Sequence, residues 1–258
     1  MDHNQRIKIY EETKEICKKS FIPKQESTLY VSPMREMYLS AYRPYTTEVL
    51  VIDSDTLDAA YSYVKQGRDR VAVLNMANDK HAGGGVDNGA GAQEENIFRR
   101  SALCLHLDQR VYPLTSNKSP TRLLWSHNVA IFRQNEMEGY KLMKTPYYVD
   151  IITLAGLFRP KIVDGNISTS AEWILRDKLH LLFQTAIVEN CDTLILSALG
   201  CGAWNNPPEP VAKIFREVMT VYDGYFRSIV FAILTEAPGA KGISENNFET
   251  FKRVLLSN

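Results

Sequence analysis

Apolar and polar positions change period several times along the chain, and each change marks an element. Near the start, Ile9, Ile16 and Cys17, with Thr13 between them, fall on one helix face. Residues Phe21 to Tyr45, rich in Pro, Ser, Thr and Tyr, read as an irregular connector. The apolar run Val49-Leu50-Val51-Ile52 predicts a buried strand, and Asp55 then predicts the N-cap of a helix through Leu57, Ala60, Tyr61 and Val64. A second strand, Val71-Ala72-Val73-Leu74, runs into a glycine-rich loop. After it, Ile97, Phe98, Ala102 and Leu105 predict a helix from about Gln93 to Leu107.

Turn residues dominate 108–126, and strands are expected at Val129 to Arg133 and Tyr147 to Leu154. Ser170 should cap a long helix through Ile187, with Trp173, Ile174, Leu181 and Leu182 on its apolar face. Strand Thr193 to Leu196, helix Val211 to Tyr222, strand Ser228 to Leu234 and a last helix from about Ser244 to Leu255 follow. Alternating strands and helices imply a mixed, mostly parallel sheet covered on both faces, a three-layer α/β/α fold. The expected organisation is one domain over 46–258 with an N-terminal helical extension over 1–45.

Composition narrows the function classes. The 258 residues carry 30 basic and 30 acidic side chains, a net charge of zero, which argues against nucleic acid held by bulk electrostatics. No apolar run approaches the ~20 residues that span a bilayer, and the charged start carries no apolar signal core, so no membrane partner is expected. A cytoplasmic monomer is the expectation, with a nuclear location open for a eukaryotic source. Cys17, Cys104, Cys191 and Cys201 lie far apart without zinc-ligand spacing, so reduced thiols, no metal and no cofactor are expected.

Both glycine loops fall at the carboxyl ends of predicted parallel strands, where such sheets bind ligands. The first holds Gly83, Gly84, Gly85, Gly89 and Gly91; the second runs Gly200-Cys201-Gly202-Ala203-Trp204. Main chain free of Cβ atoms can approach a ligand closely and offer its amides to an anion or to sugar oxygens. Neither loop matches GxGxxG or GxxxxGK[ST], which disfavours a dinucleotide dehydrogenase or a P-loop nucleotidase. Gln93-Glu94-Glu95 opens the helix behind the first loop. Acids there suit the helix dipole, yet a desolvated carboxyl beside a second carboxylate can also serve as a general acid.

Three glycines, seven residues and then QEE (Gly83 to Glu95) resemble the signature of poly(ADP-ribose) glycohydrolases of the microbial type, a branch of the macrodomain fold. The likeness extends to residues 51–60, to Gly200-Cys201-Gly202-Ala203 and to Asn247-Phe248. It implies ADP-ribose, poly(ADP-ribose) or ADP-ribosylated proteins as partners. Glu95 would be the catalytic acid, and Glu94 would hold hydroxyls of the distal ribose. Gly83, Gly84, Gly85 and Val86 would wrap that ribose, with Gln93 in the same signature. Gly200, Cys201, Gly202 and Ala203 would cradle the diphosphate. Trp204 would lie beside the ribose, and Asp55 and Phe248 near the adenine.

Other residues resemble mono-ADP-ribosyl macrodomains, which carry an NAAN…GGGVD pattern: Asn75-Met76-Ala77-Asn78 and Gly83 to Asp87. By that likeness Asn78 would contact the distal ribose and Asp87 would orient water. Asp79, Asp87, Glu94 and Glu95 together would make an acidic pocket, and a guanidinium would match its charge. Two substrates therefore stay open, the polymer and arginine-linked mono-ADP-ribose. A reader that binds ADP-ribose without cleaving it is the alternative, since fold does not fix function.

Overall fold

The computed structural model describes residues 1–19, 25–34, 42–236 and 247–257. Its centre is a seven-stranded sheet formed by β1 (Thr28–Val31), β2 (Glu48–Ile52), β3 (Val71–Met76), β4 (Arg122–Arg133), β5 (Leu142–Leu154), β8 (Thr193–Leu196) and β9 (Ser228–Ala232). The spatial order is β1-β4-β5-β3-β8-β9-β2. From β5 to β2 every pairing is parallel, while β1 and β5 both run antiparallel to β4. A separate hairpin joins β6 (Ile162–Val163) to β7 (Asn166–Ile167).

Alternation along the central strands explains the three layers. Ala72 and Leu74 face one apolar cluster while Val71 and Val73 face the other; Leu194 and Leu196 oppose Ile195 in the same way. The first cluster is covered by α4 (Thr169–Val188), α5 (Pro208–Val221) and α6 (Asn247–Leu256), the second by α2 (Thr56–Lys65) and α3 (Gln93–Arg100). Helix α1 (His3–Lys19) lies against α3 and the glycine loop, with Tyr10 edge-on to Phe98 at 6.3 Å between ring centroids.

Several elements differ from the pattern-based reading. The region read as a connector contains β1, which pairs with the edge of β4. Strand β4 begins at Arg122, inside the stretch read as turns, and β5 begins at Leu142 rather than Tyr147. Helix α3 stops at Arg100, because Ser101 is extended and bridges Ile131; the turn Leu103–Leu105 follows. Trp173, assigned to an apolar face, is 69 % exposed, and α4 starts at Thr169. Residues 244–246 of the expected last helix lie outside the described residues.

Candidate active site

Strand β3 delivers the chain to the site, and α3 returns it there carrying two acids. Gln93 fixes this register. Its Nε2 donates to the Leu74 carbonyl at 2.6 Å and to Thr56 Oγ1 at 3.1 Å, while its Oε1 accepts from the Met76 amide at 2.9 Å. Gln93 was expected on the ligand; its amide instead ties three elements together beneath the site.

Glu94 and Glu95 are buried, 3 % and 7 % exposed. Glu94 accepts the Asn78 amide at 2.7 Å through Oε2; its Oε1 accepts the Gly83 amide at 3.2 Å and Asn75 Nδ2 at 3.4 Å. Burial pushes its carboxyl up to about 8, with the charge of Glu95 acting in the same sense and the amides of Asn78 and Gly83 against it. Glu95 Oε1 accepts the Gly85 amide at 2.9 Å, and its Oε2 is buried without a protein partner. The two neighbouring carboxyls thus meet the loop differently: Glu94 takes three protein donors across both oxygens, whereas Glu95 takes one and leaves its Oε2 without a protein partner.

Glycine is required where the loop crosses these acids. Gly83 and Gly84 have φ of +81° and +55°. A Cβ on Gly84 would stand 2.6 Å from Glu95 Oε1 and 3.0 Å from Glu94 Oε2, and one on Gly83 would meet the Phe98 ring at 2.7 Å. The loop is held from outside as well. Asn78 Oδ1 accepts the amides of Lys80 and His81, Gln109 bonds Ala82 N and Lys80 O, and the Arg6 guanidinium of α1 lies over Gly91.

The second loop converges on the first. Trp204 and Ala82 pack against one small cluster containing Ala77, Tyr112 and Ala155. Gly200 has φ of +78°, and Asn206 locks the turn by donating to the carbonyls of Leu157 at 2.7 Å and Gly200 at 2.9 Å. Cys201 is buried, while Gly202 and Ala203 form an exposed crest. Trp204 meets Phe158 edge-on at 5.5 Å. Phe248 packs partly buried against the main core with the Lys252 ammonium 5.5 Å from its ring, and the neighbouring Asn247 donates to the Cys201 carbonyl.

Besides Gln93, three expected site residues stand elsewhere or are otherwise engaged. Asp87 points outward, its side chain 71 % exposed and paired with Lys14 Nζ at 2.7 Å, because it follows the buried Val86 on a short turn under α1. Asp79 accepts from Ser116 Oγ at 2.8 Å. Asp55 caps α2 as expected, but its carboxylate also takes Arg100 Nη1 at 2.5 Å and Asn96 Nδ2 at 2.6 Å, so both oxygens are committed to protein. Arg100 also bonds Asp58, and Arg99 is buried against the Ala90 carbonyl and Tyr140; neither arginine pairs with the acids one turn earlier.

Sequence reasoning missed Asn206 and Tyr112. The Asn-Pro step after the second loop was a turn signal for Asn206. Nothing local marked Tyr112, whose hydroxyl is buried without a partner; burial first, and then the charge of Glu94, lift it above the ordinary phenol range. Among the described residues no group of three His, Cys, Asp or Glu could hold a metal ion.

The family model of the microbial-type PARG catalytic domain matches residues 2–134. The poly(ADP-ribose) glycohydrolase of Thermomonospora curvata is similar over 97 % of this chain and 99 % of its own, at 27 % identity and a TM-score of 0.81. A second structure of it, bound to the inhibitor ADP-HPD, shares 28 % identity over the same coverage, with a TM-score of 0.74. The Deinococcus radiodurans enzyme in complex with ADP-ribose shares 25 % identity over 99 % of this chain and 93 % of its own, with a TM-score of 0.69. No curated protein sequence matches the chain significantly. With its buried acid pair under a glycine loop, this chain belongs to the microbial-type PARG family and is a glycosidase of macrodomain-like fold.

Proposed function

We propose that the chain releases ADP-ribose from poly(ADP-ribose) by cleaving the bond at C1 of the distal ribose, with Glu95 as the proton carrier. The observation that carries this reading is the buried, unpartnered Oε2 of Glu95, on a carboxyl oriented through Oε1 by the Gly85 amide. Cleavage at an anomeric carbon passes through an oxocarbenium-like state, in which the leaving oxygen needs a proton. Glu95 donates that proton through Oε2; as carboxylate it then takes one from the attacking water. Glu94, fixed by three donors, receives a ribose hydroxyl and holds the sugar against the acid. Gly83 to Val86 line the ribose, Gly200 to Ala203 the diphosphate, and Trp204 the sugar's open side.

The polymer is preferred over arginine-linked mono-ADP-ribose for a physical reason. The acids invoked for a guanidinium were Asp79 and Asp87; Asp87 is exposed and paired with Lys14, and Asp79 is engaged by Ser116. ADP-ribose bound to the D. radiodurans relative and ADP-HPD bound to the T. curvata relative support the same ligand class here. Incubation with poly(ADP-ribose) and, separately, with ADP-ribosyl-arginine tests the proposal. Free ADP-ribose is expected from the polymer alone; inertness toward the polymer, or release from the arginine conjugate only, overturns it.

A further inference from the structure

Two cysteines 87 positions apart in sequence meet on the face opposite the main core. Cys17, on the last turns of α1, is buried in a small cluster with Ala102, Ala130 and Phe132, and Cys104, in the turn after α3, packs against the same cluster. The two thiols thus share one small packed cluster, close enough that each shifts the other's proton affinity. Cys17 is 4 % exposed, whereas Cys104 is partly open to solvent. The groups facing the pair are Lys14 and Tyr10 from α1 and Arg133 from β4. Cys191 and Cys201 are buried in the other layer.

We propose that Cys104 is a site of oxidative modification by hydroperoxides and that Cys17 is its resolving thiol, so that oxidation ties α1 covalently to the turn behind the catalytic helix. The Cys17 thiol and the Lys14 ammonium favour the anion at Cys104, whose thiol is held below its usual range, while the same contact and then burial hold Cys17 above it. Reactivity follows thiolate character and access, and of the two thiols Cys104 is the one partly open to solvent.

The chemistry closes with the peroxide as sole oxidant. The Cys104 thiolate attacks one peroxide oxygen; an S–O bond forms, the O–O bond breaks, and the alcohol or water leaves after taking a proton from solvent. Cys104 is then a sulfenic acid. The Cys17 sulfur attacks it, the S–S bond forms, the S–O bond breaks, and the departing hydroxide takes the Cys17 proton as water. Two thiols and one hydroperoxide thus give one disulfide, one alcohol and one water.

The device is wired to the glycine loop. Lys14, one turn before Cys17, reaches Asp87, and Thr13 Oγ1 donates to the Arg99 carbonyl at 2.7 Å. A disulfide would hold that seam shut independently of these bonds.

Hydrogen peroxide added to the full chain tests this, followed by alkylation of remaining thiols and peptide mapping without reductant. A Cys17–Cys104 cross-linked peptide is expected, formed about tenfold faster than any oxidation of Cys191 or Cys201 and reversed by dithiothreitol. Cys17→Ala should stop at a sulfenic acid on Cys104 that dimedone traps, and Cys104→Ala should leave Cys17 unmodified. Circular dichroism of both variants establishes that they fold; should either fail, the wild-type map decides alone. Absence of the cross-link, oxidation of Cys104 no faster than of Cys191 or Cys201, or Cys17 oxidised at the wild-type rate in Cys104→Ala overturns the proposal.

Discussion

Gly85 donates its amide to Glu95 Oε1 at 2.9 Å, while the other oxygen of that carboxyl is buried without a protein partner. Glutamine at position 95 keeps an oxygen for the Gly85 amide and loses the transferable proton. Glu95→Gln should therefore lower turnover by about 10³-fold while ADP-ribose affinity stays within a few fold. Release of ADP-ribose and calorimetric titration measure the two; equal turnover would refute the assigned acid.

Gly84→Ala should damage catalysis more than folding. The new methyl meets both carboxylates, and the backbone must hold a left-handed φ. We expect a loss of about 1–3 kcal/mol in stability from the strained position. Displacement of the acid by a fraction of an ångström should cost roughly a hundredfold in kcat. Urea denaturation and steady-state kinetics separate the two effects.

Glu94 makes stability depend on pH with a definite sign. Its carboxyl titrates near 4.5 when unfolded and near 8 when folded, so between these values the folded chain holds a proton the unfolded chain releases. Its stabilising contribution is complete below about 4.5 and disappears as pH rises to about 8, at up to about 1.4 kcal/mol per pH unit. Urea denaturation at several pH values should show the wild type losing stability relative to Glu94→Gln across that window. Parallel pH profiles for the two proteins would contradict the buried-acid account.

Arg100 ties α3 to α2 through Asp55 and Asp58, with the guanidinium only 2 % exposed. Removing a buried partner leaves uncompensated charge, so Arg100→Met should cost about 3 kcal/mol. Arg100→Lys should lose less, since an ammonium keeps the charge but not the fork. Thermal melts of both variants order them.

Much of this arrangement was legible in the chain. Strands β2, β3 and β8 are continuous apolar runs because both of their faces are covered, and the Asp55 cap is a local signal. Gly83 to Glu95 announced the site because backbone conformation and acid spacing are both written within 13 residues. What failed were contacts between distant elements. Ser101 leaves the helix because it pairs with Ile131, which no local period encodes. Strand β1 lacked enough alternation to stand out from its Pro-rich surroundings. Asp87 looked like a pocket residue until α1 brought Lys14 to it, and Asp55 looked available until Arg100 and Asn96 claimed its oxygens. Cys17 and Cys104 were separated by the whole first βαβ unit, so their meeting belongs to the fold alone.

Both catalytic-helix carboxyls are steadied chiefly by amides of the backbone rather than by partner side chains. If they act as proposed, a catalytic group moored in this way is insensitive to what decorates the surrounding walls. Under the proposed function Trp204 borders the sugar, and exchanging it should admit a bulkier or differently charged departing group without disturbing Glu95. The scaffold is thus open to retargeting from the outside, provided the bare stretch of loop beneath is left alone.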